Sequence, residues 1–519
     1  AMKVGKAIYN ILSQSTEVQS NFPFNTTDYS ATGTELVTNG DFSATGSNLV
    51  TNPNFTDTGS EVAVNGDFAT DSDWGSNNTI SGGQLTKTGT GLSFQEYAGF
   101  SVAKSYKCVV DVAEENGSNF TLYVGGSQFS LDVGVNTLYI VNGTTNNYLG
   151  FNDGLGSIVN SISVKELGED WSDAGTPSYI ASAAYNENGL TITSVNGDGN
   201  NNRVQQAAVT QDDKSYKVTY TIQSVDLTGT NVFQYYNGSA YVTFSEQGVG
   251  THTFYYTRQG TDDIWYFRIA TNNGSTTDFV TISSLVVQEL GEDWTSADGD
   301  IDTYNENGVT ITSITTDQYN RLFQSSVSED GKSYKVTYTI HATSFSTGTV
   351  VQYYNGINYV SLPEQGVGTH TFYFTRIGTN DGWYFNLNAS ASGSTTDFVT
   401  ISSISVEEMV LNKIFPELAP PDIDAPYVVY SVVSNSPSDT KNANGDIDTA
   451  SIEVYGFQDT YNKAVDLGVS VRAALDRKTG TYNTIEIQST NYVNEQMDVN
   501  EARKLWAAIQ DYSIRIKNL

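Results

Sequence analysis

The sequence predicts a mainly β, multidomain protein, in which a long insertion of three β-sandwich (jelly-roll-like) repeats splits a small α+β domain. Three observations predict this fold class. The 519 residues include 33 Tyr, 23 Phe and 46 Gly, a composition typical of aromatic-rich strands joined by glycine turns. A long segment of the chain is repeated. The two ends of the chain show helical periodicity that the repeats lack.

The central part of the chain consists of copies of one domain. The stretches YNENGLTITS, KSYKVTYTI, EQGVGTHTFYYTR and GSTTDFVTISS lie between positions 185 and 284 and return in the same order, nearly unchanged, from position 304. A more divergent copy comes first, with KSYKCVVDV at position 104. Tyr216, Val218 and Tyr220 alternate with polar residues, which indicates a half-buried strand. We therefore predict β-sandwiches over residues 62–171, 172–294 and 295–408.

Three short, similar segments stand at or before the start of the first sandwich. They are LVTNGDF at position 36, LVTNPNF at position 49 and VAVNGDF at position 62. Only the last is followed directly by a full repeat. We interpret residues 31–61 as a linker that contains remnants of duplicated domain starts.

The two chain ends predict one discontinuous domain. Val4, Ile8, Ile11 and Leu12 lie on one face of a helix over residues 3–13. Near the other end, DTYNKAVDLGVSVRAALD has helical periodicity and can be capped by Asp459 or Thr460, and it is flanked by alternating strand patterns. Neither end has enough apolar residues for a core of its own. Residues 1–30 and 409–519 are therefore expected to fold together, since insertion into a surface loop costs little closure entropy.

The bulk composition excludes several classes of partner. The net charge is −33, and such a surface repels nucleic acid and anionic lipid. No stretch reaches the roughly 18 apolar residues that a membrane span needs, so we expect no membrane partner. The single cysteine, Cys108, excludes an intrachain disulfide, and its apolar neighbours predict a buried thiol.

No catalytic constellation is recognisable, and we expect no enzymatic activity. The three histidines are His252, His341 and His370, and the first and last occupy the same repeat position on a predicted strand. The sequence contains no zinc-protease, nucleophile-elbow or P-loop motif.

Repeated aromatic residues are the candidate binding groups. Sugars stack on such rings through their C–H faces, while Asn and Asp bind the hydroxyls. Because adjacent strand residues face opposite sides, we expect one of each pair to belong to the core. The candidates come from QYYNG and WYF in the second and third sandwiches: Tyr235, Tyr236, Trp265, Tyr266, Tyr353, Tyr354, Trp383 and Tyr384.

Joined across the insertion, the ends read IFPELAP, PYVVY, ASIEVYGF, AVDLGVSVRAAL and DYSIRIK in that order, after the N-terminal helix. This order resembles the tail-completion (tail-terminator) family of long-tailed bacteriophages. The resemblance implies a virion protein, assembled in the host cytoplasm, that forms a homohexameric ring at the head-proximal end of the tail. Its partners would be the tail tube protein and head–tail connector proteins. DNA would pass through the channel without specific binding.

The repeats resemble carbohydrate-binding modules of the galactose-binding-like jelly-roll type, on the residues VNGDF…DSDW and TTDFVTISS. In such modules a structural Ca²⁺ often lies where the first and last strands meet. The resemblance makes Asp67, Asp278 and Asp397 candidate calcium ligands, with turn or cap aspartates as the alternative, and host or environmental glycans candidate partners. No other cofactor is expected.

Two functions of different classes remain open at this point. The first is a phage structural protein at the tail neck, with outward sandwiches that bind surface glycans or act only as spacers. The second is a secreted polysaccharide-binding protein with several modules, whose ends resemble the phage family by coincidence.

Overall fold

The structure is a computed structural model, and it describes residues 2–22, 29–96, 100–116, 119–143, 148–173, 183–194, 203–271, 274–297, 302–313, 320–411, 413–421, 423–440, 443–482 and 484–517. The chain forms two compact units. The first unit contains Ala1–Ser43, Asp293–Asp302 and Asn307–Leu519, and the second contains Ala44–Glu292 and Thr303–Glu306. Strands dominate both units, which confirms the predicted fold class.

The elements follow one another in five groups. The chain opens with α1 (Met2–Gln14), α2 (Thr16–Gln19), β1 (Tyr29–Glu35), β2 (Thr45–Asn48) and β3 (Thr58–Glu61). The next group is β4 (Asn78–Ser81), β5 (Gln84–Lys87), β6 (Ser93–Glu96), β7 (Ser105–Glu114), β8 (Thr121–Val124), β9 (Ser127–Ser130), β10 (Gly134–Val141), β11 (Tyr148–Asn152) and β12 (Ile158–Leu167).

The two copies with nearly identical sequences follow. The first comprises β13 (Ser172–Asp173), β14 (Ala183–Asn186), β15 (Gly189–Thr193), β16 (Arg203–Gln206), β17 (Ser215–Asp226), β18 (Val232–Tyr236), β19 (Tyr241–Thr243), β20 (Gly250–Thr257), β21 (Trp265–Ala270) and β22 (Phe279–Leu290). The second comprises β23 (Thr295–Ala297), β24 (Thr303–Asn305), β25 (Gly308–Thr312), β26 (Asn320–Gln324), β27 (Ser333–Ser344), β28 (Val350–Tyr354), β29 (Tyr359–Ser361), β30 (Gly368–Thr375), β31 (Trp383–Asn388) and β32 (Phe398–Leu411).

The last group completes the chain. It consists of β33 (Ile414–Pro416), β34 (Tyr427–Thr440), β35 (Ala443–Gln458), α3 (Tyr461–Leu475), β36 (Gly480–Tyr482), β37 (Ile485–Asn500) and β38 (Leu505–Lys517). We call the domain formed by α1, α2 and this group the end domain. The three repeats are sandwiches 1, 2 and 3 in the order in which their last strands occur along the chain.

Each of the three short segments directly follows a strand that opens one of the three sandwiches. Strand β3 pairs with β12, β2 pairs with β22, and β1 pairs with β32, which is the last strand of sandwich 3. The interpretation of residues 31–61 as a linker with remnants is therefore wrong. Each opening strand is needed to pair the closing strand of its own sandwich. The domains are nested: sandwich 1 is inserted into sandwich 2, sandwich 2 into sandwich 3, and sandwich 3 into the end domain.

Each opening strand leads into the same turn, whose phenylalanine is buried. In sandwich 1, Asn65 and Phe68 adopt positive φ angles of 48° and 52°. The indole N–H of Trp74 donates to the Asn65 carbonyl at 3.2 Å, and the Trp74 and Phe68 rings lie 5.4 Å apart. The Gln95 amide both accepts from the Val64 N–H (3.0 Å) and donates to the Val64 carbonyl (2.8 Å), as a neighbouring strand would.

The same turn fixes the true domain boundaries. In sandwich 2, the ring of Phe55 packs 5.1 Å from that of Trp171, although Trp171 follows the last strand of sandwich 1. In sandwich 3, Phe42 packs 5.1 Å from Trp294. The predicted boundaries at residues 171 and 294 therefore assign each tryptophan to the preceding sandwich, whereas its packing belongs to the following one.

Each sandwich has two antiparallel sheets. The sheet orders in sandwich 2 are β14-β15-β22-β17-β20, with β2 added on β22, and β13-β16-β21-β18-β19. Sandwich 3 repeats both orders with its own strands, and sandwich 1 has β10-β7-β12-β5-β4 with β3 added, against β6-β11-β8-β9. Cys108 lies in the core of sandwich 1, as predicted, and burial raises the pKa of its thiol to about 12.

The end domain is a six-stranded sheet with helices on one face. The strand order is β33-β34-β35-β38-β37-β36. Val4, Ile8 and Leu12 of α1 enter the same buried cluster as Leu467 and Val471 of α3 and the inward side of the sheet. The predicted helix over residues 3–13 is thus α1, and the side chain of Thr460 caps α3. Met409 and Leu411, at the end of β32, also join this cluster.

The packing of Trp171 against the turn of sandwich 2 has a testable consequence. We expect Trp171→Ala to remove about 3–5 kcal/mol from the free energy of unfolding of sandwich 2, because the side chain is buried between Phe55 and Phe267. Hydrogen exchange of the intact chain should show faster exchange in β15, β17 and β22, with sandwich 1 unchanged. Trp74→Ala is the matched control and should give faster exchange in sandwich 1, with sandwich 2 unchanged. Loss of protection in sandwich 1 alone after Trp171→Ala would contradict the assignment.

Candidate functional site

Half of the predicted aromatic ligands are core residues. Trp265 and Trp383 have no exposed surface, and Tyr235 and Tyr353 are buried beside them. The rings stack in parallel, at 5.7 Å for Tyr235 with Trp265 and 5.9 Å for Tyr353 with Trp383. These four side chains lie between the two sheets of their sandwiches, so their prediction as ligand-binding residues is wrong.

The other four lie on the outer face of the same sheets, because neighbouring strand residues alternate sides. In sandwich 2, Tyr236 and Tyr266 are half-buried and meet edge to face, with ring centroids 5.5 Å apart. Tyr241, directly opposite Tyr236 in the strand pairing, adds a third ring at 5.1 Å. We call this surface, with its counterpart in sandwich 3, the aromatic face.

Polar side chains accompany the rings of the aromatic face in sandwich 2. The Arg268 guanidinium lies 3.4 Å above the Tyr241 ring and donates to the Gln234 side chain at 3.0 Å. Arg203 donates to the Tyr241 hydroxyl at 3.1 Å. The sequence analysis missed Tyr241, Arg203 and Arg268. The alternation of Arg203 and Arg268 with core residues on β16 and β21 was the signal that could have found the two arginines.

Sandwich 3 repeats this arrangement with one change of charge. Tyr354, Tyr359 and Tyr384 occupy the three ring positions, and Arg321 donates to the Tyr359 hydroxyl at 3.2 Å. Asn386, which donates to Gln352 at 2.9 Å, replaces the second arginine. Flat rings with amide and guanidinium donors between them can stack on sugar C–H faces and bind hydroxyls.

Asp278 is a buried hydrogen-bond acceptor at the junction of the two sheets. It accepts from the Thr228 N–H (3.0 Å) and hydroxyl (2.8 Å), the Asn231 amide (2.6 Å) and the Ser275 hydroxyl (2.6 Å). Burial alone would raise the pKa of Asp278, but the hydrogen bonds from Ser275, Asn231 and Thr228 outweigh it and lower the pKa to about 2.

Asp397 repeats this clamp in sandwich 3, where Ser346, Thr349 and Ser394 donate to it. Asp67 is instead exposed and accepts one backbone hydrogen bond, from Ala69 at 3.2 Å. N–H groups and hydroxyl donors aimed at a carboxylate do not fit a calcium ion, which needs a shell of oxygen acceptors. Within the described ranges no three acidic, His or Cys side chains cluster as a metal site. The donors around Asp278 and Asp397 therefore favour the alternative of cap aspartates, whereas calcium binding at Asp67 stays a prediction.

The end domain carries an open cleft on the sheet face away from its helices. Tyr427, Val429, Tyr455 and Phe457 form its floor, and the loop that contains Leu418 forms its rim. Its volume is about 610 Å³. Arg503 donates to the Tyr427 hydroxyl at 3.2 Å. None of the helices in the described part of the chain is long and apolar enough to cross a membrane.

The Asp278 clamp predicts a pH-dependent stability. Asp278→Asn should lower the free energy of unfolding of sandwich 2 by about 2 kcal/mol at pH 7, because charge-assisted hydrogen bonds are lost. The folded pKa lies below the unfolded value of about 3.9. The ionised carboxylate therefore stabilises the fold above pH 4, and the contribution fades as the pH falls towards 2.

Thermal unfolding of wild type and Asp278→Asn at pH 7 and pH 2.5 checks this expectation, and the two curves should converge at the lower pH. Asp67→Asn, at the exposed turn, is the control and should change little. A wild-type melting temperature that rises with added Ca²⁺, with no rise in Asp278→Asn, would contradict the clamp.

Comparison with known proteins matches the C-terminal part of the chain to a phage family. Residues 402–517 match the family described as Tail completion protein gp17, which confirms the resemblance over that segment. No curated protein matches the chain significantly.

The solved structures similar to the chain include proteins of virus particles and carbohydrate-binding modules. The virion of a native gene transfer agent particle aligns at 12% identity over 20% of this chain and 79% of that one, with a TM-score of 0.18. The tandem CBM22 domain of Paenibacillus barcinonensis Xyn10C aligns at 9% identity over 46% and 94%, with a TM-score of 0.18. A triple jelly roll protein of an archaeal virus turret aligns at 12% identity over 65% and 89%, with a TM-score of 0.16. The family match thus concerns residues 402–517 of the 519, and such low TM-scores add no argument about function.

Proposed function

We propose that the protein is a structural component of a phage tail, whose end domain forms a ring at the head-proximal end of the tail tube. The observation that carries the proposal is the match of residues 402–517 to tail-completion proteins. This segment supplies the whole sheet of the end domain, and the N-terminal helix completes its core. Its neighbours in the virion would be the tail tube protein and the head–tail connector.

The ring geometry constrains the insertion. A ring that passes DNA cannot carry sandwiches inside its channel, so they project outward. A ring of six copies, as in the family, is our proposal for the assembled state.

We expect the purified full-length chain to form a ring at neutral pH. Light scattering should give about six times the chain mass of 56.3 kDa, and negative-stain images should show a central channel with peripheral density. A monomeric mass over a wide concentration range would contradict the proposal. Density for the sandwiches within the channel would contradict the outward projection.

A second, additional function is glycan binding by the outward sandwiches. The observation that favours it is the aromatic face, where three tyrosines and an arginine keep their positions in two copies. Single contacts of this kind are weak. Two faces per chain around a ring could raise the apparent affinity by about 10²–10⁴ if they engage together. Without glycan binding, the sandwiches would serve as spacers at the neck, and a secreted polysaccharide-binding protein is the alternative identity.

Removing one ring from each aromatic face tests glycan binding. Tyr266→Ala with Tyr384→Ala should weaken binding to a glycan array at least about tenfold, because each face loses a stacking surface. The melting curve should change little, since both rings are half-exposed. Tyr373→Ala, an exposed tyrosine on the opposite sheet of sandwich 3, is the matched control. Binding that survives the double substitution would place the glycan elsewhere.

A further inference from the structure

Helix α3 of the end domain carries an apolar stripe that faces away from the core. Tyr461, Val465 and Val469 are spaced by four residues and therefore line one side of the helix. Tyr461 is 47% exposed and Val469 is 61% exposed. Trp506 extends the stripe, with its ring 5.2 Å from that of Tyr461. We call this surface the helix stripe.

The cleft on the sheet is a second exposed apolar surface of the same domain. At its rim Leu418 is 82% exposed, which is the highest value among the large apolar residues of the described chain. Tyr455 and Phe457 lie on its floor and are half-buried. An exposed leucine above an aromatic floor is unusual for a surface that contacts only water.

The two surfaces lie on opposite faces of one sheet. Gly456 stands between Tyr455 and Phe457 along β35, and a Cβ at Gly456 would meet the Leu467 side chain of α3 at 3.0 Å. The side chains at positions 455 and 457 therefore point away from the helix. A single copy of the end domain cannot bring its helix stripe to its own cleft.

The charges around the two surfaces are complementary. Lys463 and Arg472 are exposed on α3. Glu453 and Asp511 form a cross-strand pair on the cleft face, beside Tyr455. Their effect is visible on Tyr455, whose pKa is raised to about 12 by its hydrogen bond to Glu453, by burial and by the nearby carboxylate charges.

A second pair of opposite charges has its acidic residue on the helix and its basic residue at the cleft. Asp466 is exposed on α3, between Val465 and Val469 in the sequence. Arg503 lines the cleft and offers it a cationic partner. The helix stripe and the cleft thus match in apolar character and in both signs of charge.

From this arrangement we propose that the helix stripe of one copy docks in the cleft of the next, so that the ring is built by head-to-tail contacts. The inference rests on the proposed function and names the surfaces that build the assembly. Because the two halves of the contact lie on opposite faces, the contact is heterologous. Such contacts produce closed rings or open filaments, whereas a contact between identical surfaces stops at a dimer.

Two single substitutions in the full-length chain test the docking. Val469→Asp places a carboxylate on the helix stripe, and Leu418→Asp places one at the cleft. Both side chains are exposed, so folding should be preserved. A buried, unpaired carboxylate should weaken the contact by about 100-fold or more, and each variant alone should sediment as a monomer. Val249→Asp, on an exposed residue of sandwich 2, is the matched control and should keep the ring.

Mixing the variants distinguishes head-to-tail docking from other contacts. Val469→Asp retains an intact cleft and Leu418→Asp retains an intact helix stripe. An equimolar mixture should therefore form a dimer of one copy of each, and no larger species. Rings that persist in either variant, or a dimer formed by one variant alone, would overturn the inference and leave the proposed function standing. A wild-type chain that stays monomeric would overturn both.

Discussion

The pairing of each closing strand with a distant opening strand is the constraint on which the architecture depends. Strands β12, β22 and β32 each pair with a long neighbouring strand on one side, and the backbone N–H and C=O groups on their other side also need hydrogen bonds. The opening strands β3, β2 and β1 supply them. Without these strands each sandwich would expose an unpaired edge, which is a site of aggregation.

The turn after each opening strand, with its buried phenylalanine, makes the pairing specific. Phe42, Phe55 and Phe68 adopt positive φ angles, which cost energy for a bulky residue. The cost is offset by burial of the ring against a tryptophan and by the glutamine that bonds the turn as a strand would. A sandwich can therefore be interrupted between its first and second strands without loss of its core, and this is where each inner domain is inserted.

Much of the fold could be predicted from the sequence, because it depends on local periodicity and on visible repeats. The alternation around Tyr216 and the spacing of Val4, Ile8 and Leu12 correspond to strand and helix faces in the structure. The nesting could not be read from periodicity, since pairing between residues 48 and 288 is a long-range contact. The sequence does contain one signal for the nesting: the opening segments at positions 36, 49 and 62 are equal in number to the closing strands.

The candidate site was harder to predict for the same reason. Residue type cannot tell which of Tyr235 and Tyr236 faces the core, because that depends on the register with β21. Asp278 and Asp397 lie in the segment TTDFVTISS, which resembles modules that often hold a structural Ca²⁺. In the structure, however, loop residues such as Thr228 donate hydrogen bonds to the carboxylate. The end-domain cleft depends on β34 and β35 meeting in one register, which brings Val429 beside Tyr455.

The nesting also sets the order in which the domains become complete as the chain is made. Synthesis runs from the N-terminus, and sandwich 1 is the first domain whose strands have all left the ribosome. Sandwiches 2 and 3 are completed next, although the first strand of each is synthesised before sandwich 1. The end domain receives its sheet after every other described domain is finished. A translation product that stops anywhere within the insertion carries helix α1 but none of strands β33 to β38. Such a fragment lacks both of the proposed docking surfaces, so an incomplete chain could not enter the proposed ring.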